Sequence, residues 1–139
     1  MQLSNYIYRS ARAHNIDPMV SVAILHQENR FRDVHTYEVE RDVQSVCHAT
    51  SCVKHVTEHH EVVDIGIAQI NVRTAVYHGF DLQRLYDHDL EYAIESHMTI
   101  LANKIKVCAD DFGDEAWTCY HSVTPEHRLK YLEMVSRYL

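Results

Sequence analysis

A mainly helical, single compact domain carrying a small irregular or β segment is the fold class this sequence predicts, on three observations. Apolar residues recur at three- and four-residue spacing over most of the chain. Residues suited to opening a helix stand where those stripes begin: Asp17-Pro18, Asn71, Asp89, Asp114 and Thr124-Pro125. And 139 residues with a hydrophobic fraction of 46% suffice for one core while leaving no length for a second module. Internal repeats and low-complexity tracts are absent from the sequence.

Leu3, Tyr6, Ile7 and Ala11 fall on one face of a first amphipathic helix, which Asn15-Ile16 breaks. Asp17 as cap and Pro18 at the first helical position open a second helix, expected to run to about Phe31. From residue 34 to 63 the pattern is poor. Tyr37 to Glu40 alternate like a short strand, whereas Val43, Val46, Val53 and Val56 suggest helical spacing, so the segment is expected to be irregular. Asn71 caps a short helix through Tyr77, closed by Gly79 with Phe80 packing back. Asp89 opens a long helix whose stripe is Leu90, Ile94, His97, Leu101, Ile105 and Cys108, and Gly113 ends it. Asp114 starts a brief helix through Trp117 and Tyr120. Thr124-Pro125 starts the last, with Tyr131, Val135 and Tyr138 facing inward.

The net charge is −7 with the 12 histidines neutral, and the basic residues are scattered among acids, so nucleic acid is excluded as a partner. Protonation of the histidines would change the surface in an acidic compartment. No apolar run is long enough to span a bilayer. Cys47, Cys52, Cys108 and Cys119 are an even number, which in an exported protein favours two disulfides. Proximity in sequence selects Cys47 with Cys52 and Cys108 with Cys119 among three connectivities, and free thiols are the alternative for a cytosolic chain.

Chemistry is suggested at three places. Val20, Ile24 and Glu28 lie four residues apart with Phe31 following, which sets a carboxylate on an apolar stripe. Burial there would raise its pKa and let it act as a general acid; the alternative is a surface Glu paired with Arg32 at i+4. In Gly66-Ile67-Ala68-Gln69-Ile70-Asn71 a glycine would let the backbone approach a ligand and Gln69 offers an amide to a sugar; alternatively, this is a turn entering a helix. In Ala116-Trp117-Thr118-Cys119-Tyr120-His121-Ser122 the Tyr120 hydroxyl could reach a buried carboxyl, unless the ring is simply core.

The ordered set Ile24 to Phe31, Gly66 to Asn71 and Ala116 to Ser122 resembles the lytic transglycosylases of the soluble-lytic type, over most of the chain. Tyr120 to Pro125 resembles the Tyr-His-Ser-x-Thr-Pro ending of the specialised members attached to conjugation, type IV secretion and phage entry. The resemblance implies a lysozyme-like fold, with Glu28 as catalytic acid, Tyr120 beside it, and Gly66, Ile67, Gln69, Asn71, His121 and Ser122 toward the sugars. Asn29 stands where the family usually has Ser, Ile67 and Ala68 replace Leu and Met, and His121 replaces Asn. The 37 residues between Glu28 and Gly66 exceed the length expected of the family core, and the surplus, around the close cysteines, is expected to cover a glycan cleft or dock a larger machine.

By that resemblance the chain cleaves the bond between N-acetylmuramic acid and N-acetylglucosamine in peptidoglycan, giving 1,6-anhydromuropeptides, without a cofactor or metal. Lysozyme-type hydrolysis with Asp64 as second carboxylate is the first alternative, and a noncatalytic wall-binding or assembly module is the second. The implied partners are glycan strands and a secretion, conjugation or phage-entry machine. The implied location is the periplasm or the exported cell-wall space. Because Met1 to Asn15 lacks the basic start and apolar run of a signal peptide, a removed leader, a virion or a lysis route would have to deliver the chain. A metal site at Cys47, His48, Cys52, His55, His59 and His60 fits no zinc spacing, and a disulfide with solvated histidines is the plainer expectation.

Overall fold

A computed structural model describes residues 2–121 and 124–139. The first helix, α1 (Gln2–Ala13), buries Ile7, Ser10 and Ala11. It ends at Asn15, whose left-handed backbone (φ 56°) lets the Ile16 N–H return to the Ala11 carbonyl at 2.8 Å. Asp17 then accepts from the Met19 N–H at 2.9 Å, and with Pro18 beyond it this cap starts α2 (Pro18–Asn29). The helix stops two residues short of the expected Phe31. Arg30 and Phe31 both adopt positive φ, 52° and 62°, and Asn29 closes the turn by bonding the Arg32 carbonyl through its amide.

Residues 34–63, expected to be irregular, are largely a long antiparallel hairpin: β1 (Thr36–His48) and β2 (Ser51–Ile65) pair from Thr36 opposite Asp64 to His48 opposite Ser51. At 13 residues the ribbon reaches about 40 Å. A two-residue strand β3 (Ile70–Asn71) adds to its base, giving the order β1-β2-β3. The valine spacing misled for a physical reason. Every described side chain from Thr36 to Glu61 is exposed, so no buried face imposes alternation, and valines three apart sit on opposite faces of the ribbon. Val43 faces Val56 and Val46 faces Val53, which is cross-strand pairing rather than a helical stripe.

The helices α3 (Val72–His78) and α5 (Leu90–Phe112) begin at Asn71 and Asp89, whose side chains accept backbone N–H groups of Arg73 and Tyr92. Gly79 ends α3 at φ 70°, with the Phe80 N–H on the Ala75 carbonyl. Between them a short α4 (Leu82–Tyr86), too brief to show periodicity in the sequence, is capped by Asp81. The stripe of α5 is buried at Ile94, His97, Leu101 and Cys108; Ile94 and Leu101 join the main core, whereas Cys108 packs in a smaller cluster with Ala116 and Cys119. Past Gly113 the expected brief helix is a 3-10 helix (Gly113–Tyr120), followed by α6 (Pro125–Ser136). Tyr131 and Val135 face inward as expected, but Tyr138 is 42% exposed, because α6 ends before it and helical spacing no longer applies.

The cysteines form two disulfides, Cys47 with Cys52 near the ribbon tip and Cys108 with Cys119 between α5 and the 3-10 helix. Among the described residues no helix is long and apolar enough to cross a membrane, and no group of three or more His, Cys, Asp or Glu is placed to hold a metal ion.

Candidate active site

Glu28 reaches the site from the last turn of α2, one turn beyond the fully buried Ile24. Its alternative partner is elsewhere: the Arg32 guanidinium donates to the Asn29 carbonyl at 3.3 Å. Instead the Tyr131 hydroxyl, from α6, donates to Glu28 Oε1 at 3.1 Å. Burial pushes the Glu28 carboxyl above the ordinary value of 4.5. The Tyr131 hydrogen bond, which favours the charged form, opposes that rise, and the negative charge of Asp64 adds to it. A carboxyl that retains its proton above the usual range is suited to donate it.

Glu28 opens onto a cleft of about 690 Å3 shared by Asp64, Gln69, Asn71, Tyr120 and His121. Arg73 and Lys104 supply its cations. A depression of the same volume lies along α1, but among the described residues no carboxylate lines it, so it offers no carboxyl group as a general acid. Tyr120 stands at the end of the 3-10 helix with its hydroxyl 3.0 Å from His97 Nδ1, and burial, then the charges of Glu28 and Asp64, raise its pKa. His121 is exposed and stacks on Tyr131, with ring centroids 4.9 Å apart. Asp64, opposite Asn71 in the sheet, is raised above 3.8 by burial, and a hydrogen bond from Asn71 offsets part of this.

Two residues expected to meet sugar do other work. Ile67 is 2% exposed and belongs to the core, its N–H held by Asp33 Oδ1 at 3.1 Å. Gly66 is buried, with its N–H on His35 Nδ1 at 3.0 Å. A Cβ there would lie 3.0 Å from Asp33 Oδ1, so the close approach that requires glycine is to Asp33 rather than to a ligand. Gln69 lines the cleft, yet both amide protons go to the Val34 and Gly66 carbonyls at 2.8 Å and its oxygen accepts from Thr36. One acceptor lone pair remains for a ligand. Asn71 contributes its Oδ1 to the α3 cap. Ser122 lies outside the described residues.

The sequence reading missed Tyr131 as the partner of Glu28; on α6 it looks like any core aromatic. It also missed Asp33 and His35, which hold the Gly66 turn, because their link spans more than 30 residues. His97 was placed on the buried stripe without a role, although a histidine among apolar neighbours is itself a signal. The chain matches no family model, and no match to a curated protein or to a solved structure is found.

Proposed function

We propose that the chain is a lysozyme-like, peptidoglycan-cleaving lytic transglycosylase in which Glu28 is general acid and then general base. The observation that carries this reading is a carboxyl with a burial-raised pKa, held by Tyr131, at the wall of a cleft that also receives Tyr120 and His121. Glu28 protonates the leaving oxygen of the bond between N-acetylmuramic acid and N-acetylglucosamine, and the substrate's N-acetyl group stabilises the developing positive charge. The Glu28 carboxylate then takes the proton of the muramyl 6-hydroxyl, which closes the 1,6-anhydro ring. No resident metal or cofactor takes part in these steps. Two disulfides accord with a periplasmic or otherwise exported location at the wall.

Hydrolysis is the second reading, favoured by the presence of Asp64 in the same cleft, where it would orient a water. Cleavage of purified walls, followed by turbidity and by mass spectrometry of the products, separates the readings. Anhydromuropeptides, loss of cleavage in Glu28→Gln and retention of most activity in Asp64→Asn are expected. Reducing-end muramic acid, together with inactivation by Asp64→Asn, would establish hydrolysis instead. Wall binding by intact chain with no cleavage would favour a noncatalytic wall-binding or assembly module.

A further inference from the structure

We propose that His97 is a positioning residue of the cleft: the Ser21 hydroxyl fixes its Nδ1–H tautomer, His97 donates to the Tyr120 oxygen, and the Tyr120 proton is thereby left free for an acceptor in the cleft. The inference rests on the glycan-cleaving reading above. The His97 ring sits at the middle of α5 with no exposed surface, between two hydroxyls. Its Nε2 is 2.8 Å from Ser21 Oγ and its Nδ1 is 3.0 Å from Tyr120 Oη. Burial pushes its pKa down to about 3, so around neutral pH the ring has one N–H and one lone pair.

Which nitrogen carries the proton follows from the far end of the chain. Ser21 is fully buried, and among the described residues its hydroxyl has no hydrogen-bond partner but His97. With the proton on Nε2, Ser21 would accept and its own proton would be buried without an acceptor. Tyr120 would also have to direct its proton inward, to Nδ1. With the proton on Nδ1, Ser21 donates to Nε2, Nδ1–H donates to Tyr120, and each buried proton has an acceptor. Tyr120, which lines the cleft, then offers its O–H to an acceptor oxygen of the glycan or to the Glu28 carboxylate once that has given up its proton. Ser21 and Glu28 are seven residues apart on α2, two turns along one face, so the helix that presents the acid also sets the tautomer.

The test has one readout that needs no catalysis. Long-range proton–nitrogen correlation spectra of chain labelled with 15N-histidine should show His97 protonated at Nδ1 and bare at Nε2, in the intact chain and equally in Glu28→Gln. Ser21→Ala should shift the population toward Nε2–H. An Nε2–H tautomer in the intact chain would overturn the proposal without bearing on the function of the cleft. The second readout is cleavage of soluble wall fragments. His97→Leu and Tyr120→Phe should each lower kcat about tenfold with KM little changed, the loss expected of one hydrogen bond. The double variant should be no slower than either single one, and His97→Asn, whose amide N–H can stand in for Nδ1–H, should recover most of the rate. Multiplicative losses, or full activity in a folded His97→Leu, would contradict the proposal. Full activity in Glu28→Gln would instead remove the reading on which it rests.

Discussion

The helical body and the hairpin ribbon of this chain are held by different physical means. In the body, buried side chains such as Ile24, Ile94 and Leu101 fill a common core, and capping side chains mark the starts of α2, α3, α4 and α5. In the ribbon, side chains from Thr36 to Glu61 are exposed, and order comes from the backbone ladder, cross-strand pairs such as Val43 with Val56 and Arg41 with Glu58, and the Cys47–Cys52 bridge. An isolated two-stranded ribbon is marginal in water, so a bridge near its tip has a task that the core performs elsewhere. The groups of the candidate site follow the same division. Glu28, Tyr120 and Tyr131 come from the body, and the ribbon contributes Asp64 only where it rejoins the core.

The largest effect should therefore come from the body. Glu28→Gln should lower wall cleavage a hundredfold or more, roughly the contribution of a general acid. Excising residues 38–61 and joining Tyr37 to Val62 through an Asn-Gly turn should leave cleavage within a few-fold and the melting temperature nearly unchanged. Loss of cleavage on excision, with the body still folded, would make the ribbon part of the cleft. Glu28→Gln should also be more stable than the intact chain. A carboxyl whose folded pKa lies above its unfolded value of about 4.5 opposes folding progressively as pH rises from that value toward the folded one. The gain in melting temperature should thus be present at neutral pH and absent well below pH 4.5.

The two disulfides fall one in each region. Loop closure gives about 3 kcal/mol for the Cys108–Cys119 bridge, which spans 11 residues and joins two buried cysteines. For the Cys47–Cys52 bridge, spanning five, it gives about 2 kcal/mol. The first should appear as a lower global melting temperature when both its cysteines become Ser. The second should appear only as faster amide exchange in the ribbon, the body melting as before. Equal shifts in global melting would mean that ribbon and body unfold together.

Smaller displacements should appear in the pH profile of kcat/KM. On the proposed mechanism, cleavage should fall on the alkaline side as Glu28 loses its proton. Asp64→Asn removes a negative charge that raises the Glu28 pKa, so this limb should move to lower pH. Tyr131→Phe removes a hydrogen bond that lowers it, so the limb should move to higher pH. Shifts in the same direction would mean that the limb belongs to another group.

The body was the readable part of the sequence because burial writes periodicity into it. The α5 stripe, the caps at Asp17, Asn71 and Asp89, and the Gly79 stop all follow from local chemistry. Glu28 was readable as a carboxylate on an apolar stripe. The ribbon was not, since without a buried face its valines obey no period. Nor were the links that shape the site, Tyr131 to Glu28 across 103 residues and Ser21 to His97 across 76, since only the folded chain brings these residues together.

The smallest effect concerns a pair of positions with the same local conformation in the two regions. Ala49, at the ribbon turn, has φ 53°, and Gly79, at the end of α3, has φ 70°. A Cβ in this left-handed region costs about 1 kcal/mol. At Gly79 nothing lies within 4 Å of the place a Cβ would take, so Gly79→Ala would introduce that backbone cost without a clash, offset in part by the smaller freedom of alanine in the unfolded chain. Gly79 terminates a helix packed on the core, so the net cost should register as a drop in global melting temperature, by a few degrees at most. Ala49→Gly relieves a similar cost, offset in part by the greater freedom of glycine in the unfolded chain. If the ribbon opens without the body, that relief should slow amide exchange at ribbon positions near the tip, such as Val46 and Val53, and leave global melting in place. A rise in global melting in Ala49→Gly comparable to the fall in Gly79→Ala would mean that the ribbon is an integral part of the folding unit, and the division between the two regions would have to be abandoned.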